Sequence, residues 1–95
     1  MTALSNEEIE HALADLSGWR YERGEILKNF TFPAFMDAIA FIDRIAEKAE
    51  AANHHPDLEK HYNRVRVALH TWSENAVTDK DIALARDIES AADLD

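Results

Sequence analysis

The chain opens with Ile9, Ala12, Leu13 and Leu16, an apolar stripe at helical spacing. Ser5 stands ahead of it as an N-cap. Glu8 completes a capping box three residues on, and Leu4 and Ile9 are set as a hydrophobic staple. Gly18 sits where such a helix stops, so the first helix is expected over residues 6–17. The period then changes to two. Trp19-Arg20-Tyr21-Glu22 alternates and Arg23-Gly24 supplies a turn. Glu25 to Phe32 reads as a second strand, with Ile26, Phe30 and Phe32 on one face and Lys28 interrupting it.

Pro33 suits a first helical position, and the following FMDAIAFIDRIAEKAEAA holds neither Gly nor Pro for about five turns. Its core stripe is expected at Phe35, Ala38, Ile39, Ile42, Ala46 and Ala49. Phe41 and Ile45 then fall on the flank, a second apolar face free for another subunit. Asn53-His54-His55-Pro56 ends this helix, because the residue before proline is pushed out of the helical region. Residues 57–62 form a weak strand by composition. Arg64 to Trp72 alternates cleanly, with Val65, Val67 and Leu69 on one side. Thr78 and Asp81 repeat the capping logic, Val77 and Ile82 form a second staple, and Ile82, Ala85, Ile88 and Ala92 carry the last helical stripe. The acidic tail from Glu89 is expected to fray. The expected fold is α+β, a four-stranded antiparallel sheet with three helices on one face in the order α-β-β-α-β-β-α, since each stripe needs a sheet face to bury against.

Composition narrows the setting. At 95 residues, 46% hydrophobic and 31% charged, with no linker-like stretch or internal repeat, the chain is expected to be one domain over residues 1–95. So short a chain buries only about 60–65% of its unfolded surface, which favours oligomerisation. Nineteen acidic against ten basic residues give a net charge of −9, arguing against direct nucleic-acid binding and against anionic membrane surfaces. Without cysteine there is no disulfide, iron–sulfur cluster or thiol nucleophile, and any zinc site would need His and carboxylates alone. No apolar run approaches the roughly 18 residues of a membrane span, and a cytoplasmic location is expected.

Five histidines occur in the chain, three of them within His54 to His61. Imidazole, with an unperturbed pKa of about 6.5, suits proton transfer at neutral pH. Adjacent imidazoles at a helix exit stiffened by Pro56 can offer one acid and one base, and they can equally be solvated loop residues. Neighbouring histidines rarely converge on one ion and no HExxH spacing is present, so no metal site is expected. Trp19 reads as core or as a stacking platform, Asp81 as a helix-start acid or a ligand contact, and Glu50 as a solvated residue or a ligand contact. His70 shares the outward parity of Trp72, but a strand ending near Thr71 would part the two. His11 and His61 read as surface residues.

Glu50, then His54-His55-Pro56, Tyr62, Trp72 and Asp81, together with Gly18-Trp19, the Phe30-x-Phe32-x-x-Phe35 run and Val77-Thr78-x-x-Asp81, resemble the signature of pterin-4a-carbinolamine dehydratases over nearly the whole chain. The resemblance implies a homodimer or homotetramer, without metal or cofactor. Its activity would be to dehydrate 4a-hydroxytetrahydropterin to quinonoid dihydropterin, in recycling of tetrahydrobiopterin after aromatic amino-acid hydroxylation. It implies His54 and His55 as catalytic residues, with Trp19, Glu50, Pro56, Thr71, Trp72, Ser73, Glu74 and Asp81 around the pterin. Trp72 departs from the pattern, which most often has a third histidine there. Relatives of this fold also serve as interaction modules, stabilising a transcription-factor dimer or assisting enzyme assembly, and that is the competing expectation.

Overall fold

The computed structural model describes residues 3–92, and the elements follow as α1 (Asn6–Leu13), β1 (Arg20–Glu22), β2 (Glu25–Thr31), α2 (Phe35–Ala52), β3 (Asp57–His61), β4 (Arg64–Leu69) and α3 (Asp79–Ala92). The strands make one antiparallel sheet in the order β1-β2-β4-β3. The fold is the α+β arrangement expected.

The local causes are those read from the residues, with adjustments. At α1 the Ser5 hydroxyl accepts from the Glu8 N–H, and the Glu8 carboxylate accepts from the Ser5 N–H at 2.8 Å. That backbone donation, with the Ser5 side chain second, holds the Glu8 carboxyl below its ordinary value. The helix is shorter than expected and stops at Leu13. Beyond it the chain tightens into three-residue turns, with Leu16 N–H donating to Leu13 O at 3.0 Å, and this returns Leu16 to the core. Gly18 follows at φ 86°, pressed against the Lys28 stem, where an added Cβ would meet Lys28 Cε at 2.9 Å.

Arg23 and Gly24, at φ 52° and 81°, close the β1–β2 hairpin with two left-handed residues, the turn whose twist matches the flanking strands. Helix α2 covers the expected residues, but Pro33 lies outside it and Ala34 is the N-cap. Its buried face is also rotated from the one expected. Ala38 and Ala49 are buried as expected, but the residues buried with them are Phe41 and Ile45, Phe41 at 4.8 Å between ring centroids from both Phe30 and Phe32. Phe35, Met36 and Ala46 are exposed, and Ile39 and Ile42 are half-buried. Phe41 and Ile45 therefore serve this chain's own core, not a subunit contact.

Ile26, Phe30, Val65, Val67 and Leu69 present one sheet face to Ile9, Phe41, Ile45, Ile82 and Ile88, so all three helices pack on that face. The opposite face is polar apart from Leu27 and Ala68, which register sets in a row between Arg20 and Asp57. Helix α3 adds buried Leu84 and Ala91 to the expected stripe. Glu89 to Ala92 are helical, and the remainder of the acidic tail, residues 93–95, lies outside the described residues.

Candidate active site

Three chain ends meet beyond the inner face of the sheet: the end of α2, the segment after β4, and the start of α3. Helix α2 stops because Asn53 adopts the left-handed conformation at φ 50°. The His54 N–H then bonds back to Ala49 O at 3.1 Å, closing the helix end as a Schellman turn does. That turn sends consecutive histidines into different surroundings. His54 is buried, 9% exposed, with Nε2 at 2.5 Å from Asp81 Oδ1. His55 is exposed, with Nε2 at 2.5 Å from Glu50 Oε2 one turn back on α2. Pro56 follows, half-buried.

Asp81, fully buried, connects the three ends. Its Oδ2 accepts from the Thr71 hydroxyl and from the Thr78 backbone N–H, both at 2.9 Å. Because the Thr71 proton is committed to the carboxylate, the 2.7 Å contact between the two threonine hydroxyls requires Thr78 to donate to Thr71. The Thr78 oxygen in turn accepts from the Lys80 N–H. With carboxylate oxygens on the other side, both imidazoles donate through Nε2, and their Nδ1 atoms make no hydrogen bond among the described residues. Asp81 is thus both the capping-box partner of α3 and the orienting partner of His54. Thr78, read from the pattern only as a cap, is part of the site's hydrogen-bond network.

The other residues singled out from the sequence divide. Thr71 is buried in the network, while Trp72, Ser73 and Glu74 are exposed in the turn that follows. Trp72 is 75% exposed, and its ring meets His70 at 4.5 Å between centroids, so the strand end at Leu69 does not part these two side chains. Trp19 is not brought to the histidines. It lies 6% exposed in the core, edge-on to Phe30, with its indole N–H donating to Glu89 at 2.8 Å, two turns along α3 from Asp81.

The profile described as Pterin 4 alpha carbinolamine dehydratase matches residues 2–91. The chain belongs to this dehydratase family. A relative from Mycolicibacterium vanbaalenii that carries the family's name is 44% identical over 89 residues, covering 94% of this chain and 96% of its own. One from Mycobacterium avium is 42% identical over 88 residues, covering 93% of this chain and 94% of its own. Among solved structures, a transcriptional coactivator/pterin dehydratase from Brucella melitensis superposes with a TM-score of 0.93 at 40% identity, covering 96% of this chain and 99% of that one. A pterin dehydratase-like protein identified as a RuBisCO assembly factor in the alpha-carboxysome shares the fold, with a TM-score of 0.69 at 22% identity over 79% of this chain and 89% of that one. In this member of the pterin-4a-carbinolamine dehydratase family, His54, Asp81, Thr71 and Thr78 form one connected hydrogen-bond network, while His55 pairs separately with Glu50. No helix among the described residues is long and apolar enough to cross a membrane.

Proposed function

We propose that this protein dehydrates 4a-hydroxytetrahydropterin to quinonoid dihydropterin and water, as part of tetrahydrobiopterin recycling in the cytoplasm. The observation that carries this reading is the pair of carboxylate-oriented imidazoles, one buried and one open to solvent. Protonated His55 gives its proton to the 4a hydroxyl, which leaves as water while the neighbouring ring nitrogen supplies its electron pair to the 4a carbon. His54 then takes the proton from the ring through Nδ1 and passes it to solvent as product leaves, and solvent returns a proton to His55. The assignment follows from surroundings: the base is held in one orientation by Asp81, whereas the acid must be recharged from water every turnover. No metal or cofactor takes part. The family resemblance supports Trp72, Ser73, Glu74, Pro56 and Glu50 as the pterin's surroundings, and the exposed indole of Trp72 suits stacking on a flat ring. For Trp19 the burial supports a core role instead.

Stopped-flow breakdown of 4a-hydroxytetrahydropterin tests this. The pure protein should accelerate it without added metal, and His54→Ala or His55→Ala should slow the catalysed rate by roughly 10²–10⁴-fold. A spontaneous rate unchanged by the protein would instead favour the second reading, an interaction module on the same fold. The observation favouring that reading is the exposed apolar group of Phe35, Met36 and Tyr62 at one end of α2. The same group supports a homodimer or homotetramer, since soluble monomers tend to cover such patches. Light scattering should give an oligomer mass that Met36→Asp reduces, and a monomer mass throughout the micromolar range would remove the proposal.

A further inference from the structure

On the sheet face away from the helices, three side chains of metal-ligating type meet that the histidine pair leaves unused. Glu25 opens β2, Asp57 opens β3, and His70 follows the last residue of β4. Their ligand atoms, one carboxylate oxygen from each acid and one ring nitrogen, all lie within 4.8 Å of one another. Register brings this about. Ile26 pairs with Leu69, so one step further along both strands sets Glu25 beside His70. Asp57 pairs with Ala68, two residues before His70 and therefore on the same face.

Among the described residues no hydrogen bond or ion pair joins Glu25, Asp57 and His70 to one another. Two carboxylates are brought together in a chain already carrying a net charge of −9, which Coulomb repulsion opposes. Arg66 approaches one of them, with Nη2 at 3.5 Å from a Glu25 oxygen, a single long contact between partly exposed groups that contributes little. Among the described residues the side chains of Asp57 and His70 make no hydrogen bond or ion pair. The His70 ring is steadied by the indole of Trp72 and keeps its nitrogens for another partner. Beside the cluster a cavity of about 270 Å³, lined by Arg23, Gly24, Glu25, His70 and Asn75, has room for water ligands.

The geometry points to a divalent transition-metal site in which Glu25, Asp57 and His70 are the protein ligands and water completes the shell. An imidazole with two carboxylates and no thiolate matches Zn²⁺ and its analogue Co²⁺, whereas Mg²⁺ and Ca²⁺ take oxygen ligands. Bonds of about 2.0–2.2 Å at tetrahedral angles put neighbouring ligand atoms about 3.4 Å apart. The present separations are at most 4.8 Å, within about 1.4 Å of that value, and the exposed Asp57 side chain is the one with most room to adjust. The ion would clip the ends of β2, β3 and β4 together where Trp72 projects. It has no part in the proton transfers, and the inference does not rest on the dehydratase reading.

The test uses untagged full-length protein titrated with Co²⁺ and then Zn²⁺. Co²⁺ should quench Trp72 fluorescence saturably at one ion per chain, Zn²⁺ should reverse the quench, and Zn²⁺ should raise the thermal midpoint. His70→Gln and Asp57→Asn, both at sites outside the core, should each weaken Zn²⁺ binding at least about 10-fold by calorimetry, since even partners behind the ligands cost that much. Trp72→Phe should bind Zn²⁺ as the wild type does while losing the quench. Absence of saturable binding below millimolar Zn²⁺ overturns the proposal. So does an affinity that neither His70→Gln nor Asp57→Asn changes, since the ion would then sit elsewhere.

Discussion

Replacing Thr71 with Val removes one hydroxyl from the buried network and leaves its volume nearly unchanged, so the cost is almost purely one of hydrogen bonding. Two groups lose a partner. Asp81 Oδ2 keeps only the Thr78 N–H, and the Thr78 hydroxyl loses the acceptor toward which it points. Thr78 and Asp81 are both fully buried, so bulk water does not replace what is lost. A hydrogen bond to a charged group contributes about 1.5–3 kcal/mol, and a buried group left unsatisfied costs about 1–3 kcal/mol. The Thr78 hydroxyl can rotate toward its neighbours, so the two losses do not add in full, and about 2 kcal/mol is the expected total. For a chain of this size that corresponds to a fall of roughly 8–16 °C in Tm. Urea unfolding at fixed protein concentration should show a lower midpoint at an unchanged slope, and Thr71→Ser, which restores the hydroxyl, should recover most of the loss. If Thr71→Val lies within about 0.5 kcal/mol of the wild type, a change typical of surface sites, the network does not carry the stability argued for it.

Phe41→Ala should destabilise by about 3–5 kcal/mol in the same assay, because it empties a site between two rings in the core, and a surface-sized effect would contradict the burial of that face. Glu8 has a folded-state pKa below its ordinary 4.5, so its contribution is present above that value and is lost as pH falls through the lower, folded one. Acid unfolding followed by circular dichroism should therefore be less steep in Glu8→Gln, and identical profiles would refute the link. Trp72→Ala should weaken binding of a pterin analogue by about 0.5–1.5 kcal/mol beyond the lost contact area, while Trp72→His should leave turnover similar or higher; equal binding by Trp72→Ala would refute stacking.

Much of the fold is legible in the residues because local signals agree there. The Ser5 and Glu8 capping box, the Arg23-Gly24 turn and the strand parity of Val65, Val67 and Leu69 are short-range statements, and short-range geometry answers them. The rotation of α2 is not short-range. Phe35, Ile39, Ile42 and Ala46 satisfy helical spacing as well as Ala38, Phe41, Ile45 and Ala49 do, so the apolar arc is wide enough to hold two cores. Only the position of the Phe30 and Phe32 rings selects between them. At the site, the histidine pair and Asp81 stand out in the sequence, but their division into two surroundings requires three chain ends to meet. Glu25 and Asp57 open two strands and His70 follows the end of a third, and no spacing along the chain predicts that they converge. Their meeting depends on how β2 and β3 register against β4.

The left-handed residue at the end of α2 makes loop length, rather than residue identity, the determinant of which histidine is enclosed. Asn53 sets where the helix stops and Pro56 sets where extended chain begins, with only two residues between them. Because both are histidine, exchanging their order changes nothing. Inserting or deleting one residue in that interval would move an imidazole out of reach of Asp81 while every side chain of the motif was still present. Asn53→Gly keeps the turn at little cost, whereas a β-branched residue there strains it. Variation among sequences of this kind should accordingly be read as a count of positions between the turn and the proline before it is read as a list of side chains.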